Sequence, residues 1–310
     1  MGGLQILFYL TAIFFVVAVA MKTVKIARMP LHLRWDLYPI PHEKGRGKYG
    51  GSYFEEIDWW TKPNNFSLFS EVKEMAKEIF FIQSLYHNNR KLWLFSFPFH
   101  FGMYLLIVHG LFLLTGSIMT AAGIEVARFS QNGPGVVIFH LTLVFGKIGW
   151  ILAAAGAFGV LMSRIFSGIL RRSAVRSDYT NILILLALFV VGIISSYAAD
   201  PTYAIQRTYI ADLIQLKGAP ALPGILTAQL LILSLLLFYF PFTHMTHFVG
   251  KYFTYHKIRW EDHPNLRGSK LEEAVSAALG YKITWSASHI KSGGTWAEAA
   301  TEETSEHEKQ

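Results

Sequence analysis

The chain has 310 residues, of which 52% are hydrophobic and only 16% are charged, a low charged fraction for a soluble protein. It contains no cysteine, which excludes disulfides, cysteine-ligated iron–sulfur clusters and covalently attached c-type haem within this chain. The formal net charge of +7 does not indicate a nucleic-acid partner, because the basic residues cluster beside apolar runs. Several runs of about 20 apolar residues predict an all-α, polytopic membrane protein.

Five transmembrane helices are predicted. The first occupies residues 1–20 and is followed by Lys22, Lys25 and Arg28. A signal peptide would carry its basic residues before the apolar core, so we interpret this segment as an uncleaved span. The other four spans lie within residues 93–248 and run from about Leu94 to Ile118, from Val136 to Ile165, from Asn181 to Ala198 and from Pro223 to about Phe248.

Two polar regions flank the four later spans. Residues 21–92 form a long connection, and within it Ser70 to Tyr86 has apolar residues at helical spacing with charged residues between them. This pattern predicts an amphipathic helix that lies on the membrane surface or against a partner. Residues 249–310 form a polar C-terminal tail.

The distribution of basic residues predicts the orientation. Residues 21–92, 164–178 and 249–260 are rich in Lys and Arg, whereas the loops 119–135 and 199–222 together carry only Arg128, Arg207 and Lys217. The positive-inside rule therefore predicts an N-terminus outside and a C-terminus in the cytoplasm. The predicted location is the inner (cytoplasmic) membrane of the cell, as a multi-pass protein.

Five histidines lie in or beside the apolar runs: His100 and His109 in the second span, His140 in the third, and His244 and His247 at the end of the fifth. Histidine is costly inside a bilayer and requires a partner. One interpretation is a set of helix–helix hydrogen bonds. The other is a haem-binding bundle, in which imidazoles of two helices coordinate haem b and leave the iron no open position.

Depth in the membrane suggests the pairs. His100 and His247 are both predicted near the cytoplasmic ends of their spans, so one haem between them is reasonable. His244 is the alternative to His247, because the two differ by about 60° and about 4.5 Å along a helix. His109 lies about 13.5 Å deeper than His100 and about half a turn away, where it would serve a second haem.

The partner of His109 is less clear from the spacing. The fifth span has Gln229 at that depth, so His140 is the predicted second ligand, with capping of an interfacial segment or quinone binding as its alternatives. Lys147 either extends to the outer interface or contacts a haem propionate or a quinone carbonyl. The small residues between Ala153 and Gly159 indicate close packing against a neighbouring helix or against a porphyrin face, and helix packing alone is the simpler interpretation.

Several short motifs resemble one family. They are Phe99-His100-Phe101-Gly102, Gly156 to Leu161 before Arg164, Phe240-Pro241-Phe242-Thr243 before His247, and the flanking Leu33 to Pro39 and Thr295 to Thr301. The chain resembles the cytochrome b family of the gamma subunit of respiratory nitrate reductase. The resemblance is closer to the membrane subunits of heterodisulfide-reductase-type, Dsr and Tmc complexes.

The resemblance implies two b haems, one near each face, with ligands on the second and fifth spans. His100 and His247 match the inner pair and His109 the outer ligand of the second span. The outer ligand expected on the fifth span falls at Gln229, which is a departure from the family pattern. The chain therefore keeps one haem, or uses two with His140 as the substitute.

The predicted function is that of a membrane cytochrome b subunit of a respiratory redox complex. It would transfer electrons through b haem between menaquinone and a cytoplasmic iron–sulfur subunit, which must be a separate chain because this one has no cysteine. Further membrane or periplasmic subunits and membrane lipid are the other predicted partners. The alternatives are a haem-free membrane anchor and, with almost no acidic residue in the spans to support it, an ion transporter.

Overall fold

The computed structural model describes residues 2–29, 41–43, 52–261, 265–287 and 290–301, so that the predicted motif Leu33 to Pro39 lies outside the described residues. Within these ranges the protein is all-α, with isolated bridges in place of strands. The α-helices are α1 (Gly3–Ala27), α2 (Leu68–Phe81), α3 (Gln83–Asn88), α4 (Arg90–Ala121), α5 (Gly133–Phe166), α6 (Gly168–Ser173), α7 (Arg176–Ile194), α8 (Ala204–Ile214), α9 (Gly224–Tyr239), α10 (His247–Thr254), α11 (Lys270–Leu279) and α12 (Trp296–Thr301).

Five of the described helices are long and apolar enough to cross a membrane, which confirms the predicted number of spans. They are α1, α4, α5, α7 extended by a π-helical turn to Ala199, and α9 extended by a 3-10 turn to Phe242. Large apolar side chains such as Leu10, Ile13 and Val16 are more than 60% exposed, as expected of a helix that faces lipid. The protein is thus a multi-pass membrane protein.

The chain divides into two compact units. The first contains Met1–Val19 and Glu71–Met245, and the second contains Ala20–Ser70 and Thr246–Gln310. In the second unit, Lys22 Nζ donates to Thr246 Oγ1 at 2.6 Å, and Lys257 Nζ donates to the Ala27 carbonyl at 2.7 Å. The helical bundle that carries the site described below belongs to the first unit.

Glycines hold α4 and α5 in direct backbone contact. A Cβ atom built on Gly102 would lie 2.7 Å from the Cα of Ala153, and one on Gly156 would lie 2.5 Å from the Cα of Phe99. Both distances are far below van der Waals contact, so only glycine fits. The small residues of the third span therefore serve helix packing, as predicted.

The predicted amphipathic segment is two helices rather than one. Ile82 adopts a left-handed conformation with φ 50°, which is unfavourable for a β-branched residue, and it separates α2 from α3. Two side chains of α4 donate hydrogen bonds to backbone carbonyls at the end of α2. Trp93 Nε1 donates to the Phe81 carbonyl at 2.7 Å, and Tyr104 Oη donates to the Ile79 carbonyl at 2.8 Å.

The loop between the fourth and fifth spans is more ordered than the sequence suggests. It contains α8, which packs against α4 and buries Arg207, Tyr209, Ala211 and Leu213. Hydrogen bonds from other elements reach its C-terminal end, for example from Tyr9 Oη to the Leu213 carbonyl at 2.5 Å. This segment therefore closes one end of the bundle.

The fifth span ends before the residue that the apolar run indicates. Pro241 lacks the amide hydrogen that would continue the helical hydrogen-bond pattern, and α9 changes into a 3-10 turn at Phe240. The Thr243 hydroxyl then accepts the amide of Met245 at 3.1 Å and stabilises the exit from the helix. His244 and His247 consequently do not share one continuous helix with Gln229.

The tail of the second unit contains two short described helices. At the start of α12, the Thr295 amide donates to Glu298 Oε2 at 2.7 Å, and the Glu298 amide donates to Thr295 Oγ1 at 3.2 Å. This reciprocal capping box explains why helix begins within the Thr295 to Thr301 motif. The indole rings of Trp285 and Trp296 lie 6.0 Å apart in the same region.

Candidate functional site

His109 is the most deeply buried of the predicted site residues, with 4% of its surface exposed. Its Nδ1 lies 2.8 Å from the backbone carbonyl of Thr142 on α5. A carbonyl only accepts hydrogen bonds, so this contact assigns the proton to Nδ1 and leaves the lone pair on Nε2. This is the arrangement in which a second contact orients an imidazole for metal ligation.

Tyr203 packs against His109, with the two ring centroids 4.5 Å apart and no measurable exposure of the tyrosine. A Cβ atom on Gly146 of α5 would lie 2.5 Å from the Tyr203 hydroxyl and 2.6 Å from His109 Nδ1. The absence of a side chain at this glycine is thus what admits both rings beside α5.

Tyr203 is held in a strained backbone conformation. Its φ of 58° is left-handed, and such a conformation costs a bulky residue about 1–3 kcal/mol. The turn is fixed from Asp200, whose carbonyl accepts the Tyr203 amide at 3.1 Å and whose Oδ2 accepts the Gln206 amide at 2.9 Å. It directly follows the π-helical turn Ser195–Ala199, an irregularity that is frequent at functional sites.

Two opposite charges are buried around this turn. Asp200 is 2% exposed and Arg207 is 5% exposed. The Arg207 side chain crosses Gly116 of α4, where a Cβ atom would lie 3.1 Å from its Cδ. Burial lowers the pKa of Arg207, and the charge of Asp200 opposes that shift. Burial also raises the pKa of Tyr203 to about 12, so its phenol remains a hydrogen-bond donor at neutral pH.

Several buried donors of this region lack an acceptor. Among the described residues, Trp150 Nε1, the Tyr203 hydroxyl and Arg207 Nη1 have no hydrogen-bond partner. Trp150 and Ser196 lie beside the Tyr203 hydroxyl, but neither reaches hydrogen-bond geometry with it. Buried polar groups without partners are rare and costly, so this cluster is the candidate site of the bundle.

Gln229 is part of the bundle structure. It accepts a hydrogen bond from Ser195 Oγ at 2.5 Å, and both residues are buried. This bond links α9 to the π-helical turn that precedes Asp200. The amide therefore occupies the position where the family resemblance implied a histidine, and it fixes the turn instead.

His140 and Lys147 lie seven residues apart and so share one side of α5. His140 is exposed, and it is about 200° around the helix from Thr142, the residue that His109 contacts. The structure does not bring His140 to His109, and their pairing stays a prediction. Lys147 Nζ lies 4.0 Å above the ring of Tyr197, a cation–π contact with a ring that is half exposed.

His100 is half-buried on α4, and its Nδ1 lies 2.7 Å from the carbonyl of Ser96 on the same helix. As for His109, this contact assigns the proton to Nδ1. His247 is an exposed residue at the start of α10, in the second unit. Coordination of one haem by His100 and His247 stays a prediction.

His244 contacts an acidic residue. Its Nε2 lies 3.3 Å from Asp178 Oδ1, and Arg164 Nη1 lies 3.6 Å from the same oxygen. Asn181 Nδ2 approaches the same imidazole nitrogen at 3.5 Å. These contacts connect His244 to residues at the end of α5 and the start of α7. Haem ligation by His244 in place of His247 stays a prediction.

No group of three or more His, Asp or Glu side chains among the described residues is placed to hold a metal ion. Sequence reasoning missed Trp150 and Tyr203 and counted Asp200 and Arg207 only as a helix end and a loop charge. The available signal was the Asp200-Pro201 turn, with an arginine seven residues after the aspartate in an otherwise weakly charged loop.

The chain is similar to one curated protein of Archaeoglobus fulgidus, the Hdr-like menaquinol oxidoreductase cytochrome b-like subunit. The two are 24% identical over 276 residues, which cover 79% of this chain and 76% of the relative. This similarity supports a distant relationship to the heterodisulfide-reductase-type membrane cytochromes b, while the resemblance to nitrate reductase stays a prediction. No family model and no solved structure matches the chain.

Proposed function

We propose that the protein is the cytochrome b-like membrane subunit of a menaquinol-linked oxidoreductase complex. The observation that carries the proposal is the buried imidazole of His109, oriented by the Thr142 carbonyl inside a five-span bundle. The name of the Archaeoglobus relative supports the same class. Electrons would pass between menaquinone and a cytoplasmic iron–sulfur subunit, with the membrane orientation that the basic loops predict.

Two of the imidazoles have a form that suits b haem. Neutral imidazole with Nδ1 bonded to a carbonyl is a suitable axial ligand, and both His100 and His109 have this form. His100 with His247 is the proposed inner pair; His109 is the proposed outer ligand, with His140 as its sequence-based partner. When bound, the haem supplies one-electron transfer.

The residues of the chain itself have three tasks in this proposal. The Ser96 and Thr142 carbonyls hold the imidazole protons away from Nε2. The glycine contacts between α4 and α5 hold His100 and His109 at fixed positions along the bundle. The apolar surfaces of the spans exclude water, which keeps the site at low dielectric.

A pyridine haemochrome assay on the purified full-length protein tests the proposal. We expect a b-type spectrum, with less haem per chain in His100→Gln and in His109→Gln. His87→Gln is the matched control, since His87 is an exposed residue of α3 outside the bundle, and it should retain all haem. His140→Gln should lose one haem if His140 is the partner of His109, and none if it binds quinone.

A wild-type preparation without haem would contradict the proposed cytochrome. It would favour the second interpretation, a haem-free anchor in which the histidines serve helix packing. Equal haem content in the wild type, His100→Gln and His109→Gln would leave the cytochrome class intact but exclude these two residues as ligands.

A further inference from the structure

Helix packing does not explain two of the buried donors in the bundle. Trp150 lies on α5 and Tyr203 lies in the turn before α8, and both rings pack beside His109. Trp150 Nε1 and the Tyr203 hydroxyl are close to each other, and neither has a hydrogen-bond partner among the described residues. Leaving such a group unpaired costs about 1–3 kcal/mol, which a bound acceptor would recover.

We propose that Trp150 Nε1 and the Tyr203 hydroxyl form a two-donor site for one carbonyl oxygen of a quinone ring. This assignment rests on the proposed function for the class of substrate, and it names the residues that would bind it. Two neighbouring donors that lack an acceptor among the described residues match a carbonyl oxygen, which has two lone pairs.

The charges around the turn favour a neutral ligand. Asp200 lies close enough to Tyr203 to contribute to the shift of its pKa, and this carboxylate would repel an anion. Its own charge is balanced by Arg207, so the surroundings need no ionic ligand for neutrality. A quinone carbonyl satisfies the donors without adding charge, whereas a carboxylate would add an unbalanced negative charge in a buried place.

The surrounding structure also suits a planar ring. The imidazole of His109 and the indole of Trp150 border the donors, with centroids 6.5 Å apart. Trp150 itself is seated on Gly192 of α7, where a Cβ atom would lie 2.5 Å from the indole. Rigid aromatic groups with a small number of placed donors are the usual composition of such binding sites.

In this proposal, the quinone reaches the cluster from the lipid-facing side. Tyr197 belongs to the same π-helical turn as Ser196, and its ring is half exposed with the Lys147 ammonium above it. A quinone that diffuses in the bilayer would meet this pair first. Lys147, predicted from the sequence as a quinone donor, is thus placed at the entrance, while Trp150 and Tyr203 are the buried donors.

Binding of 2-methyl-1,4-naphthoquinone to the purified full-length protein, measured by isothermal titration, tests the assignment. We expect Tyr203→Phe and Trp150→Phe each to weaken binding about tenfold, the effect of one lost hydrogen bond. Phe keeps the size of Tyr203 and places no new demand on the left-handed backbone. Without ligand, Tyr203→Phe should unfold at or above the wild-type temperature, because it removes a buried hydroxyl without a partner among the described residues. Trp150→Phe should unfold at a lower temperature, because it leaves a cavity in the core.

Tyr209→Phe is the matched control. Tyr209 is also a buried tyrosine of this segment whose hydroxyl lacks a partner among the described residues, but its electrostatic neighbour is Tyr9, whereas Tyr203 makes the ring contact with His109. Removal of the Tyr209 hydroxyl should leave the affinity for naphthoquinone unchanged. Equal affinity in the wild type and Tyr203→Phe would overturn the assignment, and the donors would then be bonded to buried water.

A second ligand tests the neutrality argument. The 2-naphthoate anion has a similar ring but carries a carboxylate, and it should bind at least tenfold more weakly than the naphthoquinone; tighter binding would overturn the proposal of a neutral ligand. The haem assay on the same samples separates the two proposals. If the protein contains haem but Tyr203→Phe does not weaken naphthoquinone binding, only the quinone site is refuted. If Tyr203→Phe weakens binding but the wild type contains no haem, only the proposed cytochrome is refuted.

Discussion

Gly102→Ala is expected to destabilise the helical bundle by about 3 kcal/mol, because overpacking forces backbone to move. The new methyl group would lie 2.7 Å from the Cα of Ala153 and 2.9 Å from its Cβ. No rotamer change relieves this clash, since the neighbouring atoms belong to the backbone and to the first side-chain carbon. The helices must separate along the contact that positions Phe99 and His100.

Gly110→Ala is the internal control for this effect. Gly110 belongs to the same helix, α4, but nothing lies within 4 Å of a Cβ atom built on it. The same chemical change should therefore be neutral or slightly stabilising, since alanine has the better helix propensity. Thermal unfolding in detergent, followed by circular dichroism, measures both variants. Equal unfolding midpoints for Gly102→Ala and Gly110→Ala would show that α4 and α5 are not in close backbone contact at Gly102.

The sequence predicts the parts of the fold that depend on local composition. Five apolar runs are long enough to span a bilayer, and each corresponds to a helix because lipid leaves the backbone no other way to satisfy its hydrogen bonds. The small residues of the third span likewise predict close packing. Their partner, the segment of α4 around Phe99 and Gly102, depends on the fold and is visible only in the structure.

The site residues that the sequence missed depend on tertiary contacts. Arg207 looked like an exposed loop charge, and its burial results from packing across Gly116, which is 91 positions earlier in the chain. The left-handed backbone of Tyr203 has no sequence signal, because tyrosine is not a residue that favours it. Depth and the lack of a histidine at Gln229 suggested His140 as the partner of His109, whereas the structure shows that His140 lies about 200° around α5 from Thr142, the residue that His109 contacts.

The end of the fifth span shows why apolarity is a poor guide to helix ends. Phe240 and Phe242 continue the apolar run, so composition extends the span to about Phe248. The hydrogen-bond pattern changes at Pro241, and the α-helix stops at Tyr239. His244 then meets Asp178, which a straight helix would not have predicted.

Asp200→Asn is the second substitution with a large expected effect, about 3 kcal/mol of lost stability. The buried Arg207 would keep its charge without the carboxylate that balances it, and uncompensated buried charge is costly. The asparagine carbonyl oxygen still accepts the Gln206 amide, so this variant removes the charge and keeps the hydrogen bond to the first turn of α8. Asp200→Ala should lose a further ~1 kcal/mol, the usual contribution of one hydrogen bond.

The double variant Asp200→Asn/Arg207→Met isolates the electrostatic part. Because Met is apolar and of similar length, Arg207→Met should cost less stability in the Asp200→Asn background than in the wild type, and the difference is the coupling between the two charges. Thermal unfolding of the four proteins measures it. Additive effects would mean that the charge of Asp200 does not act through Arg207. A positive coupling means that the charge pair anchors α8 against α4, and with it the strained turn that presents the Tyr203 hydroxyl.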